Sequence, residues 1–197
     1  MTQHVRNIMK VYRKANDGDI ANGLEWYARA RREAVSISDE LGLPLASVVG
    51  VMAALSPNNR WERNKIDAYN MCSVFIRDKH GLNTFKVSTY NTMKDKAWSI
   101  LADELADNES ILARLNGQKI RSFYSNIIGL QEVTVDGHAL NIARGKREGL
   151  TSDKTNIGKV LYRELQAAYI RAAKLAGIKP HEMQAITWTV WKRVHNI

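Results

Sequence analysis

The chain has 197 residues, 45% of them hydrophobic and 25% charged, which is ordinary composition for a globular protein and excludes disorder as the default state. It contains no run of about 18 apolar residues, and its first fourteen residues are polar and basic, without the apolar stretch of a secretory signal, so a cytoplasmic chain without a membrane partner is expected. The formal charge of +9, from 29 basic and 20 acidic residues spread along the chain, makes a polyanion a plausible partner.

The single cysteine, Cys72, excludes an internal disulfide and any four-thiolate iron–sulfur or zinc site. Its neighbours Met71, Val74 and Phe75 make it a core residue. No phosphate loop, dinucleotide fingerprint, paired-histidine metal motif or nucleophile elbow occurs, so neither a cofactor nor a metal is expected.

Apolar residues recur at spacings of three and four almost throughout, and only three prolines interrupt them, which predicts an all-α fold in one domain over residues 1–197. The first predicted helix covers residues 21–41, through Trp26, Ala30 and Ala34, and stops at the Gly42-Leu43-Pro44 break. The second, over residues 45–55, is apolar nearly all round and is therefore expected at the centre of the fold. Ser56, Pro57, Asn58 and Asn59 form a polar corner after it. A third helix follows from about Arg60, carrying Trp61, Ile66, Tyr69, Val74 and Phe75.

Further helices are predicted over residues 93–105, 109–115, 118–128 and 137–144, with Asn108 and Asp136 as N-caps. Two long helices close the chain. One follows Thr155, with Ile157, Leu161, Leu165, Ala168, Ala172 and Leu175 on its apolar stripe, and ends at Gly177; residues 145–154 before it read as a loop. The last follows Pro180, with Met183, Ile186, Val190 and Val194 inward; Trp188, Trp191 and Gln184 are expected to pack in the core.

Two segments carry candidate chemistry. Leu115-Asn116-Gly117-Gln118-Lys119-Ile120-Arg121 is followed, seventeen residues after Lys119, by Asp136 in Val133-Thr134-Val135-Asp136-Gly137-His138. This pattern resembles the helix-hairpin-helix DNA glycosylases of the endonuclease III type, in which a hairpin of the form LPGVGRKTA supplies a lysine nucleophile and a later VDTH segment a carboxylate. Lys119 falls on the lysine, Asp136 on the aspartate and His138 on the histidine. VMAALSPNN, residues 51–59, is similar to the family's apolar helix ending in LLSAQ, and TYNTMKDKA, residues 89–97, to its LYNSKA segment.

The resemblance covers about residues 48–144 and departs at the hairpin, where Leu115 replaces the first glycine and only Gly117 remains, while Ile120 and Arg121 replace the following threonine and alanine. Phage-encoded base-hypermodification enzymes of the α-glutamyl/putrescinyl thymine pyrophosphorylase kind are similar as well. The resemblance implies a helical bundle with a cleft between an early-helix half and a half holding both Gly117 and Asp136. It implies DNA as the partner, with Lys119 and Asp136 catalytic and Asn58, Asn59, Arg60, Gly117, Gln118, Arg121 and His138 binding DNA. Arg114, Lys119, Arg121, Arg144, Lys146 and Arg147 are expected to line one basic face.

The chemistry suits such a pair. Breaking an N-glycosidic bond builds positive charge on the sugar, which a carboxylate stabilises, and an amine can then attack the anomeric carbon. Three functions remain open on the residues alone: a glycosylase with lyase capacity, a transferase acting on a modified pyrimidine in DNA, and a DNA-binding module without catalysis. Asp136 before Gly137 is also an ordinary helix cap, and Lys119 an ordinary solvated side chain.

Overall fold

The computed structural model describes residues 1–149 and 157–197, and among these it has ten α-helices, one short 3-10 segment and no β-strand. The chain separates into two compact units, Met1–Ala28 with Gly129–Ile197 and Arg29–Ile128. Gly117 and Asp136 therefore belong to different units, which corrects the expected half that was to hold both. The reason is packing: the helix of residues 118–128 joins the early core, whereas the chain from Gly129 onward builds on the N-terminal segment.

The unit Arg29–Ile128 is organised around α3, Leu45–Ala54, whose residues from Ser47 to Ala54 are all buried. Four helices pack on it: α4, Trp61–Arg77; α5, Asn91–Ala102; α6, Asn108–Leu115; and α7, Gln118–Ile128. The central position expected of this all-round apolar helix is thus observed. One close approach is at Gly50, where a Cβ would lie 2.9 Å from Ile111 Cγ2 and 3.1 Å from Ile100 Cδ1.

Helix α4 turns a different face inward than its apolar spacing predicts. Asn64, Asp67, Ala68, Met71, Cys72 and Phe75 are buried, while Ile66 is 49% exposed. The two polar residues are admitted because they bond to backbone on neighbouring segments: Asn64 Nδ2 donates to Met52 O at 3.0 Å, and Asp67 Oδ2 accepts from Ser88 N at 2.8 Å. Cys72 lies in the core as expected, and burial pushes its thiol up to about 12. A thiol reagent should accordingly leave the native protein unlabelled at neutral pH and label it once in denaturant; rapid labelling of the native chain would contradict this packing.

The expected N-cap Asn108 is displaced by Asp107, whose Oδ1 accepts from Ser110 N at 2.9 Å. Asn108 is instead the first residue of α6, and its Oδ1 accepts from the Tyr124 hydroxyl of α7 at 2.6 Å.

The other unit contains α1, Gln3–Tyr12; the first half of α2, Asp17–Leu41; α8, Gly137–Arg144; α9, Lys159–Ala176; and α10, Pro180–His195. Helix α1 lies in the polar, basic N-terminal stretch for which no element is expected. It forms because Thr2 caps it and Val5, Ile8 and Met9 make one buried stripe against α8, α9 and α10. Helix α2 begins four residues before the expected start, at an Asn16–Asp19 box: Asp19 N donates to Asn16 Oδ1 at 2.8 Å and Asn16 N to Asp19 Oδ2 at 3.0 Å.

Leu175 and Val194, both expected inward, are 50% and 43% exposed, because the covered stripes of α9 and α10 run through Tyr162, Leu165 and Tyr169 and through Met183, Ile186 and Val190. Thr155, expected to precede α9, lies outside the described residues. So does the later part of the loop expected over residues 145–154.

Arg193 ties α10 to the start of α2, donating through Nη2 to Asp19 Oδ2 at 2.6 Å and to Lys14 O at 2.8 Å. These bonds, with backbone donation from Asn16, hold the 4%-exposed Asp19 carboxyl below its ordinary value against the opposing effect of burial. A carboxyl with a lowered folded value stabilises the fold fully above about pH 4 and loses that contribution as pH falls through the lowered value. Asp19→Asn should cost about 1 to 2 kcal/mol at neutral pH, allowing for solvent around the guanidinium, and should flatten the acid limb of the stability curve. Thermal melts between neutral and strongly acidic pH measure both effects; a variant curve parallel to the parent's would count against the pairing.

Candidate functional site

In the unit Arg29–Ile128 the hairpin consists of α6, the two residues Asn116 and Gly117, and α7. Asn116 ends α6 in the left-handed region at φ 49°, a conformation that asparagine tolerates better than most residues. The left-handed position of the turn is therefore filled by Asn116 and not by Gly117. Gly117 serves instead as a place of close approach, since a Cβ on it would come within 3.1 Å of Ile120 Cγ1.

Leu115, the last residue of α6, has a fully buried side chain, and its carbonyl accepts from Lys96 Nζ at 2.7 Å. Lys119 is the second residue of α7 and is half-buried, as is Gln118 before it. Arg121 donates from Nη1 to Leu112 O at 2.7 Å, bracing the end of α6, and Arg114 pairs with Asp103 at 2.6 Å.

The corner of residues 56–60 belongs to the same unit. Ser56 Oγ donates to Ala53 O at 2.8 Å, and Thr89 Oγ1 donates to Pro57 O at 2.5 Å. The two asparagines divide their roles. Asn58, at φ 51°, is exposed. Asn59 is turned inward, its Nδ2 donating to Asp67 Oδ2 at 3.1 Å and to Leu55 O at 3.2 Å.

Asp67 is fully buried and lies 3.0 Å from Arg63 Nε, so it holds the corner from below. In the sequence it looks like an ordinary partner of Arg63 on a solvated helix face, and no signal reveals its burial. Arg60 precedes α4 and is exposed, and Trp61 sets its ring edge-on to Phe123, 6.3 Å between centroids. Phe123 is one turn along α7 from Lys119, so the corner and the hairpin's second helix meet within this unit.

Asp136 and His138 belong to the other unit. A segment without helix or strand brings the chain to α8, and within it Val135 N donates to the Tyr162 hydroxyl at 3.1 Å. Asp136 is the N-cap of α8, as expected, with Oδ1 accepting from Ala139 N at 2.8 Å, and it is half-buried. Near it, the buried Tyr169 hydroxyl donates to Ala139 O at 3.2 Å. Burial pushes that hydroxyl far above the phenol range, the charge of Asp136 adds to the effect and a hydrogen bond with Thr187 opposes it.

His138 faces an aromatic group that the sequence reading assigns only to the core. Its ring is 6.4 Å from Trp188, which is 6.2 Å from Trp26, and Lys192 Nζ sits 4.5 Å above the Trp188 ring. Beside them the Tyr27 hydroxyl donates to Gln184 Oε1 at 2.8 Å, with His181 5.8 Å from the Tyr27 ring. Gln184 and Trp191 are buried as expected, at 6% and 7% exposed, but Trp188 is only half-buried. Burial holds His181 below the ordinary imidazole value. Trp188 leaves part of its indole open beside His138, a surface able to stack a planar group.

Of the residues expected to form one basic face, Arg114, Lys119 and Arg121 belong to one unit and Arg144, Lys146 and Arg147 to the other. Lys146 pairs with Glu148 at 2.9 Å. Among the described residues no three or more His, Cys, Asp or Glu side chains gather as metal ligands would, and no helix is long and apolar enough to cross a membrane.

A family model matches residues 1–195, and the chain belongs to that family, DUF7178, a family of unknown function. No curated protein and no solved structure matches it.

Proposed function

We propose that this member of the DUF7178 family is a DNA glycosylase-like enzyme that cleaves the N-glycosidic bond of a damaged or modified base turned out of the duplex. The observation that carries the reading is a two-residue helical hairpin with Lys119 in the first turn of its second helix, followed seventeen residues later by Asp136 at the start of the next helix. The exposed Asn58 at the neighbouring corner suits a wedge that fills the space left by the base. The half-buried Trp188 beside His138 offers a stacking surface.

In this reaction the bond between the anomeric carbon and the base nitrogen breaks, and its electron pair leaves with the base, which takes up a proton. Asp136 stabilises the positive charge on the sugar. The resemblance gives Lys119 the attack of a lysine amine on an anomeric carbon. The bond from that carbon to the ring oxygen breaks, the ring oxygen takes the proton the amine releases, and a Schiff base results that borohydride reduces to a stable amine. The test is borohydride trapping of the full chain on duplex oligonucleotides carrying different modified bases. A covalent adduct with at least one of them is expected, and neither adduct nor base release from any would reject the reading.

A second reading, a DNA-binding module without chemistry, is favoured by the Asp136 cap, which employs the carboxylate structurally. Salt-dependent duplex binding without turnover would select it. A product of increased mass on a modified pyrimidine would instead point to a transferase.

A further inference from the structure

A cavity of about 220 Å³ lies in the unit of the chain termini, between α1, the segment after α8, and α10. Lys10, Lys14, Arg147 and His195 stand in its wall with Trp191, and among the described residues no carboxylate lines it. Lys10 lies in the last turn of α1 and Lys14 in the turn that follows its C-cap Arg13, and both line the cavity. Lys10, Lys14 and Arg147 are exposed and form no ion pair among the described residues, whereas the adjacent Lys146 is paired to Glu148. A concave wall of one charge sign raises the local potential and draws anions.

The opposite side of the site is apolar and aromatic. A second cavity of about 100 Å³ shares Val11, Lys14, Trp191 and His195 with the first and adds Val190 and Val194. The Trp191 and His195 rings, one turn apart on α10, lie 4.1 Å between centroids. Trp191 is 7% exposed, and its buried Nε1–H has no acceptor among the described residues. The larger cavity, at about 220 Å³, is somewhat smaller than the usual range for small-ligand pockets. Gly145, the C-cap of the eight-residue α8, also lines the larger one, so this site is at the end of α8 away from Asp136, about 12 Å along the helix.

We propose that this is a nucleotide-phosphate site, in which Lys10, Lys14 and Arg147 take the phosphate and the apolar side, with the Trp191–His195 pair, takes the ring. The assignment does not depend on the roles of Lys119 and Asp136. A cationic mouth over an apolar, aromatic floor matches a ligand with a phosphate at one end and a flat, weakly polar ring at the other. That chemistry belongs equally to a free nucleotide and to a nucleotide unit of a strand.

The test titrates the full chain with inorganic phosphate, thymidine monophosphate and a short duplex oligonucleotide at constant ionic strength, following tryptophan emission and calorimetric heat. The monophosphate should bind more tightly than inorganic phosphate, and Trp191→Phe should remove most of the fluorescence change. Lys10→Glu with Lys14→Glu, and separately Arg147→Glu, should weaken binding by about tenfold or more, as expected for lost charge-assisted hydrogen bonds. Lys174→Gln, at an exposed position in the last turn of α9, should leave monophosphate affinity unchanged, which separates this site from a general loss of positive charge.

Loss confined to the monophosphate identifies a free nucleotide as the source of the phosphate, and loss confined to the oligonucleotide identifies the strand; either supports the site. The positions are exposed, so the charge-reversed chains should melt as the parent does, and Lys10→Gln with Lys14→Gln replaces them if they do not. Unchanged affinity for all three probes in folded variants, or binding of none of them by the parent chain, overturns the proposal.

Discussion

Asp136→Asn should lower base release by about a hundredfold to a thousandfold while leaving duplex binding and the thermal midpoint close to those of the parent chain. The three outcomes separate because, under the proposed function, the residue holds two roles that asparagine treats differently. As N-cap of α8, Asp136 accepts from Ala139 N at 2.8 Å, and an asparagine oxygen accepts the same bond about as well. As a stabiliser of positive charge on the sugar, the carboxylate has no substitute in the neutral amide.

Asp136→Ala should lose both roles, adding roughly 1 kcal/mol of destabilisation to the loss of turnover. Lys119→Gln should abolish borohydride trapping, since no amine remains to attack the anomeric carbon, and should spare duplex binding. Single-turnover kinetics on the substrate identified by trapping, beside melts of each variant, make the measurement. Parent-like turnover in Asp136→Asn would exclude this carboxylate from the chemistry and leave it as a cap alone.

Gly23→Ala should destabilise the fold by about 2 to 3 kcal/mol, although alanine is the better helix former by about 1 kcal/mol. Gly23 lies within α2, and a Cβ there would be 2.4 Å from Ile186 Cγ1 and 2.6 Å from both the Cα and the N of Ile186. Two of those three atoms are backbone, and Ile186 is fully buried, so relief requires α2 and α10 to separate. A fall in thermal midpoint of about 5 to 10 °C follows for a chain of this size.

Two other glycines calibrate the effect. A Cβ at Gly50 meets side chains only, the nearest at 2.9 Å, so Gly50→Ala should cost less. Gly42 has φ +65° and nothing within 4 Å of a Cβ, so its replacement by alanine should carry only the left-handed penalty of about 1 kcal/mol. If Gly23→Ala were instead neutral or stabilising, the close crossing of α2 and α10 would be wrong.

Much of the local structure is legible without coordinates. Spacings of three and four identify the helices, the all-round apolar residues 45–55 identify a core helix, and an aspartate ahead of Gly137 identifies the cap of α8. These are short-range properties: a turn of helix is decided by residues within four positions of one another, and a cap by residues within three. The bounds of α7 and α8 are as expected for the same reason.

Which face of a helix is covered, and which residues meet across the chain, depends on partners far away in sequence. Ile66 is left in solvent while Asn64 and Asp67 are buried, because Met52 O and Ser88 N wait for them. Leu115 is buried at the end of α6, where Lys96 bonds its carbonyl, and the polar N-terminal residues become α1 because α8, α9 and α10 cover one stripe of them. The assignment of Lys119 and Asp136 to different units, and the gathering of Lys10, Lys14 and Arg147 around one cavity, are likewise tertiary. Periodicity states which side chains are able to share a face; only the surfaces they pack against decide whether that face is buried, open or charged.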